Sequence, residues 1–307
     1  MRRFALPLAI VAFVTTARAQ DARQAAWDSV GTVIGAPPAP TGGYIRYNLP
    51  RRDLVVMVGD VRIAAGLALG GWVGFDGPSA AAMMMGDLVV TAAELPAVER
   101  ALIAGGISIT AVHNHLVGES PQVMYVHLHG HGEAMPLARA VDKALAATAT
   151  PRRQAAPPSA PQSAPQAALQ AAPPPPLSAD TALVFAGMGQ RGRGAGAVAS
   201  VSLELVKGAV TVQGMAVPAA LAAASPVNVQ FVSATRAVAT GDFAVTERQL
   251  DALVRALVSA GITVTAVHSH LSGESPRLLY VHFWGDGPPA ALVQQLRQAA
   301  DAARAAL

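Results

Sequence analysis

Apolar and polar residues follow one order along the chain, and the order is written twice. Leu54–Val61 (LVVMVGDV) reads as a strand, and Ala209–Val217 is its counterpart. Trp72–Phe75 and Met83–Met85 add strand material. Thr91-Ala92-Ala93-Glu94 then has the form of a capping box, with Val90 and Leu95 in the staple positions around it. Leu95, Val98 and Leu102 form an apolar stripe at helical spacing. The device returns as Thr246 and Gln249 between Val245 and Leu250, with Leu253 and Leu257 continuing the stripe. Gly105-Gly106 and Gly261 end the two helices. A pair of strands follows in each case: Ile107–Leu116 with Gln122–Gly130, and Ile262–Leu271 with Arg277–Gly285. Gly-Glu-Ser-Pro supplies each turn. Met135–Leu145 and Ala290–Ala306 read as closing helices. The pattern predicts an α+β fold of two pseudo-symmetric repeats, each an antiparallel sheet with helices packed on one face.

The duplication is explicit in the letters. Residues 86–132 align without gaps to 241–287, with TAVHNHLVGESP in one copy and TAVHSHLSGESP in the other. Two copies are too few for a solenoid and point to a pair of domains that pack against each other within the chain. The first repeat is expected over 22–150 and the second over 179–307. Between them, residues 151–178 are almost all Pro, Ala, Gln and Ser, a composition that cannot bury a core and makes a semi-extended linker. Gly187–Gly196 (GMGQRGRGAG) reads as a flexible loop, because no strand, helix and downstream acid stand where a nucleotide site needs them. No nucleotide cofactor is expected.

Composition changes the picture at the N-terminus. Arg2-Arg3, a short apolar run from Phe4 to Val14 and Ala17-Arg18-Ala19 have the form of a signal peptide over residues 1–19. The apolar run is too short to span a bilayer, so no membrane span is expected in the mature chain, which is read as periplasmic or secreted. Those residues carry three arginines and no acid, so without them the formal charge of +3 falls to zero. That balance excludes the basic face of a nucleic-acid binder. The chain has no cysteine, which excludes disulfides, thiolate ligands and cysteine nucleophiles.

All eight histidines lie in the two strand pairs. Three positions recur in both copies: His113 with His268, His115 with His270, and His127 with His282. His129 and His131 become Trp284 and Asp286, and read as surface residues or a specialisation of the first copy. Residues two apart in a strand share a face, so His113 and His115 continue the line of Ile107, Ile109 and Ala111. Whether His127 meets them depends on register, since a slip of one residue puts it on the far side. With the faces in agreement, His113, His115 and His127 with Glu119, and His268, His270 and His282 with Glu274, make a His/Glu pocket in each copy. Three imidazoles and a carboxylate suit a divalent metal ion of unspecified identity. An open metal position would make metal-assisted hydrolysis the natural reaction. Whether the protein is an enzyme stays open. The alternative is a non-enzymatic module that binds a small polar ligand or an envelope component, or a structural module without metal. Asp87 and Asp242 read as turn residues at a strand start that are secondary candidates for the site; Tyr125 and Tyr280 are further secondary candidates, read first as packing. No G-x-S-x-G elbow surrounds Ser120 or Ser275, which argues against a serine hydrolase.

The string from His113-Asn114-His115 through Gly118-Glu119-Ser120-Pro121, with Tyr125-Val126-His127 and Gly130-His131-Gly132, resembles the bacterial family called domain of unknown function 1259, or LppY/LpqO-like. Gly86-Asp87 supports the resemblance, which covers both repeats. It implies an exported protein and brings no reaction. Members are often lipid-anchored, and this chain lacks the cysteine for it. The second copy departs at Ser269, Trp284 and Asp286. His-x-His-x₃-Glu also matches half of a cupin metal motif, but a capped helix precedes it and no second cupin motif follows.

Overall fold

A computed structural model of the chain describes residues 24–152 and 178–307. The expected signal peptide and most of the expected linker lie outside the described residues. The first repeat comprises a helix α1 over 24–34, then β1 (Pro38–Thr41), β2 (Tyr44–Pro50), β3 (Met57–Val58), β4 (Val61–Arg62), β5 (Gly70–Asp76) and β6 (Ala82–Thr91). It continues with α2 (Leu95–Ala104), β7 (Ser108–His113), β8 (Glu119–Ser120), β9 (Val123–Gly132) and α3 (Ala134–Leu145). The second repeat runs α4 (Thr181–Met188), β10 (Gly192–Ala195), β11 (Val198–Glu204), β12 (Val210–Val212), β13 (Met215–Val217) and α5 (Ala219–Ala222). Then come β14 (Ala224–Phe231), β15 (Ala237–Thr246), α6 (Glu247–Ser259), β16 (Thr263–His268), β17 (Glu274–Ser275), β18 (Leu278–Gly287) and α7 (Pro289–Ala305).

Each repeat is built on a six-stranded antiparallel sheet, in the orders β1-β2-β5-β6-β9-β7 and β10-β11-β14-β15-β18-β16. The α+β expectation holds, and alternation explains the layering. Met84, Leu88 and Val90 of β6 pack with Val126 and Leu128 of β9 against Trp27, Leu102 and Val141 of the helices. Phe243, Val245, Val281 and Phe283 do the same in the second repeat. Intervening residues point to the opposite face, where the two repeats meet. Met83, Met85 and Tyr44 of the first repeat share a cluster with Val212, Leu221 and Tyr280 of the second. Val89, Leu116 and Tyr125 share another with Val198 and Val238. Helices therefore flank the outside, and two sheets face each other within.

Four expectations change. Leu54–Val61 and Ala209–Val217 are not single strands. Gly59, at φ +58°, splits the first into β3 and β4; Gly214, at φ +82°, splits the second into β12 and β13. Glycine adopts those left-handed angles without steric cost. Gly187–Gly196 is not wholly a loop, because Gly192–Ala195 pairs with β11 as an edge strand. Asp87 and Asp242 sit in the middle of β6 and β15 rather than at a turn. The glycine before each has a packing reason: a Cβ on Gly86 or Gly241 would strike the backbone of the neighbouring strand at Trp72 or Pro226.

The fourth change is a β-bulge. Ile109 faces Leu128, whereas Ala111 already faces His127, so Thr110 is the extra residue. The same shift falls between Val264 and Ala266 at Thr265. The bulge reverses the phase of the strand. Ile109 packs with the helix-side core, while Ala111 and His113 look toward the other repeat.

Candidate functional site

Register decides which histidines meet. His113 lies opposite Tyr125, and Ala111 opposite His127. His113 and His127 therefore share a face, as do His268 and His282 by the matching register of β16 and β18. Those faces look at each other. His113 stacks on His268 with ring centroids 3.9 Å apart. His115 lies 3.9 Å from His282, and His127 lies 3.7 Å from His270, a symmetric pair of contacts across the repeats. All six shared histidines thus gather in one centre between the sheets. The histidines expected to line a pocket in each copy stand together here, because each sheet presents them to the other sheet.

The bulges hold that arrangement. Thr110 donates its hydroxyl to the carbonyl of His270 at 2.8 Å, and Thr265 donates to the carbonyl of His115 at 3.0 Å. Each repeat thereby fixes the second histidine of the other.

Two aspartates complete the centre. Asp87 approaches His115 at 3.7 Å and His127 at 3.9 Å. Asp242 forms an ion-pair contact with His282. The strand read at Met83–Met85 runs on through Val89, and its alternation Met85, Asp87, Val89 places Asp87 on the histidine face. The carboxylates expected from Glu119 and Glu274 are elsewhere. They accept from the backbone amides of Val123 and Leu278 at 3.3 and 3.2 Å, closing their own turns. The cause is local: β8 and β17 pair with β3 and β12, which holds each glutamate at the turn. Both turns contain a cis Ser–Pro bond. Tyr125 and Tyr280 pack on His115 and His270, and donate to the carbonyls of Ala68 and Ala222. His129 is buried, contrary to its reading as a surface residue, and meets the exposed His131 edge-on at 4.5 Å.

Burial sets the protonation. It holds His268 and His270 down at about 4 and about 3, with neighbouring imidazoles adding to the effect. Burial and the neighbouring histidines lower His113, His115 and His127 further. At neutral pH these rings are neutral, the form that offers a lone pair to a metal. Burial and the nearby Asp242 raise Asp87 well above the usual carboxylate range. Burial also pushes Asp242 upward, but the charge and hydrogen bond of His282, with His268 and His270, bring it below its ordinary value.

Ring nitrogens of His113, His127, His268 and His282 all lie within 4.8 Å of one another. Asp87 with His113 and His115, and His115 with Asp242 and His282, form further groups of that kind. Nitrogens bound to one tetrahedral ion at about 2 Å sit roughly 3.4 Å apart, so the group is of the size that a single ion requires. Buried polar atoms around the centre lack hydrogen-bond partners: His113 Nδ1, His127 Nε2, His270 Nδ1 and Asp87 Oδ1 among them. Such atoms are costly unless something binds them.

The family described as Domain of Unknown Function (DUF1259) matches residues 28–147 and again 181–302. No curated protein matches the chain. EtuB from Clostridium kluyveri aligns over 88% of this chain and 91% of its own, at 12% identity and a TM-score of 0.21.

Proposed function

The chain belongs to the DUF1259 family in two tandem copies, and we propose that these copies together form one buried metal centre in an exported protein. The observation that carries this reading is the convergence of four imidazoles from both repeats within 4.8 Å, with buried ring atoms left unpartnered. His113, His127, His268 and His282 are the proposed ligands, with His115, His270, Asp87 and Asp242 available beside them. A nitrogen-rich donor set without sulfur suits a divalent transition ion such as zinc, copper, nickel or iron. Asp87 and Asp242 would orient the rings and lower the net charge of the centre, as carboxylates beside metal-bound histidines do. An ion with an open position would supply an activated water. Export is supported by the signal-peptide form of residues 1–19.

A structural reading competes. His268 and His282 approach nitrogen to nitrogen at 2.7 Å, and His113 and His115 at 3.1 Å, distances at which one ring hydrogen-bonds the next without any ion. The two readings separate on metal content. Purified protein loaded with zinc, copper or nickel and then dialysed is expected to retain a fixed number of ions per chain. His113→Ala and His268→Ala are each expected to abolish it, although they lie in different repeats. Wild-type protein that retains no metal overturns the proposal. Retention of half the metal in each variant would restore one independent site per repeat.

A further inference from the structure

Beside the centre, a cleft of about 670 Å³ opens between the two sheets. The buried Asp87 and His115 line it together with Asp242, as do Arg46, the exposed Arg193, Trp72 and Leu67. Its volume falls within the range of small-molecule sites, about 300–1,000 Å³. The proposed metal centre does not account for its cationic part.

Arg46 is the best-positioned residue of that part. Its guanidinium lies 4.2 Å from the Trp72 ring centroid. It donates to Asn48 Oδ1 at 2.9 Å and to the Tyr44 hydroxyl at 3.2 Å. These partners are neutral, and they fix the group while leaving most of its donors unused. Among the described residues no carboxylate lies within salt-bridge distance of it, unlike Arg51, which is paired with Asp53 and Glu94. Burial lowers the pKa of Arg46, Arg193 lowers it further, and Tyr44 and Asp87 oppose them. The Arg193 side chain, exposed at this edge strand, makes no hydrogen bond or ion pair with the described residues. One repeat thus supplies a stacked, oriented guanidinium, and the other adds a second cation beside it. Held rigidly with donors to spare, a guanidinium suits an oxyanion, which it binds through paired hydrogen bonds.

The repeats differ where they build this cleft. Thr41 pairs with Tyr44 in β1–β2, and Ala195 with Val198 in β10–β11. Tyr44 and Val198 are therefore equivalent positions. Tyr44 fills a corner with Met83, Met85 and Leu221, whereas the smaller Val198 lines the cleft. Arg46 faces Ala39, and Arg193 faces Ser200, so each edge hairpin contributes one arginine, on opposite strands. The duplicated domain is asymmetric where this cationic cleft forms.

We infer that this cleft binds a small organic oxyanion, a carboxylate or a phosphate ester, between Arg46 and Arg193, with its other end turned toward Asp87, Asp242 and His115. The orientation toward the centre rests on the metal reading; the anion site itself does not. Trp72, Leu67, Val198 and Tyr125 are among the apolar residues of the lining, which favour a ligand with a ring or short carbon skeleton over inorganic phosphate alone.

Calorimetric titration of the full chain at low ionic strength tests the inference, with benzoate and phenyl phosphate as probes and benzyl alcohol as neutral control. Saturable binding of at least one anion is expected, and none of the alcohol. Arg46→Gln and Arg193→Gln should each weaken that binding by about tenfold or more, the usual effect of losing a charge-assisted hydrogen bond. Should Arg46→Gln fail to fold, the exposed Arg193 decides through its own variant. Absence of anion binding to wild-type protein, or binding to Arg193→Gln equal to wild type, overturns the inference. A chain that binds anions but retains no metal sinks only the metal reading; one that retains metal but binds no anion sinks only this one.

Discussion

Six imidazoles and two carboxylates share one interior, and their environment rather than their identity sets what they do. His268 and His270 titrate near 6.5 when exposed, but at about 4 and about 3 in the folded protein. The sign follows from proton binding. Between these values the unfolded chain holds more protons than the folded one, so stability falls as pH drops below 6.5. Each unit of depression corresponds to about 1.4 kcal/mol. Metal-free protein is therefore expected to lose several kcal/mol between about pH 6.5 and about pH 4, measured as urea midpoints across that range. A flat profile would mean that the histidines are not buried as neutral rings. Glu119 supplies the opposite test. Glu119→Ala should cost about 1 kcal/mol through the lost turn bond to Val123, yet leave metal content unchanged. The candidate histidines were legible from their repeated spacing. The aspartates are hidden in the sequence because Gly-Asp resembles a turn, and the glutamates mislead because sequence proximity does not reveal that a carboxylate is committed to its own turn.

At the scale of elements, the strand pairs and their flanking helices were legible because apolar periodicity and capping residues are local signals. Thr246 and Gln249 cap α6 as expected, and Glu94 accepts from the amide of Thr91 at 2.8 Å. The bulges were not legible. An extra residue leaves no mark on composition, yet it determines that Ile109 faces the helices and Ala111 the histidines. Its threonine then bonds across the repeats. Thr110→Val and Thr265→Val should each cost about 1 kcal/mol of stability and weaken metal retention, since each leaves a carbonyl beside a site histidine unpaired. Chemical denaturation and metal analysis of the double variant check this. Unchanged values in both would remove the bulges from the account.

At the scale of the molecule, duplication is plain in the letters, but the way the copies face each other is not. Period-two alternation identifies the two faces of a strand without saying what covers either. The second face could have met solvent, helices or another sheet. Here it meets the other repeat, through two shared apolar clusters and polar contacts at their margins. Gln230 accepts from the amide of Ala64 at 2.8 Å and donates to the carbonyl of Arg62 at 2.7 Å. Gln230→Ala leaves both groups unpaired and should cost about 1–3 kcal/mol. Because the repeats share cores, thermal unfolding should be a single transition that this variant lowers as a whole. Two separated transitions would show that the repeats unfold independently.

The central claim is that both repeats build one centre. Anomalous X-ray scattering from crystals of metal-loaded protein tests it most directly. A shared centre puts an anomalous peak within bonding distance of imidazoles from both copies, among His113, His127, His268 and His282. Separate peaks each bound only by one repeat, or no peak among these residues, would contradict it.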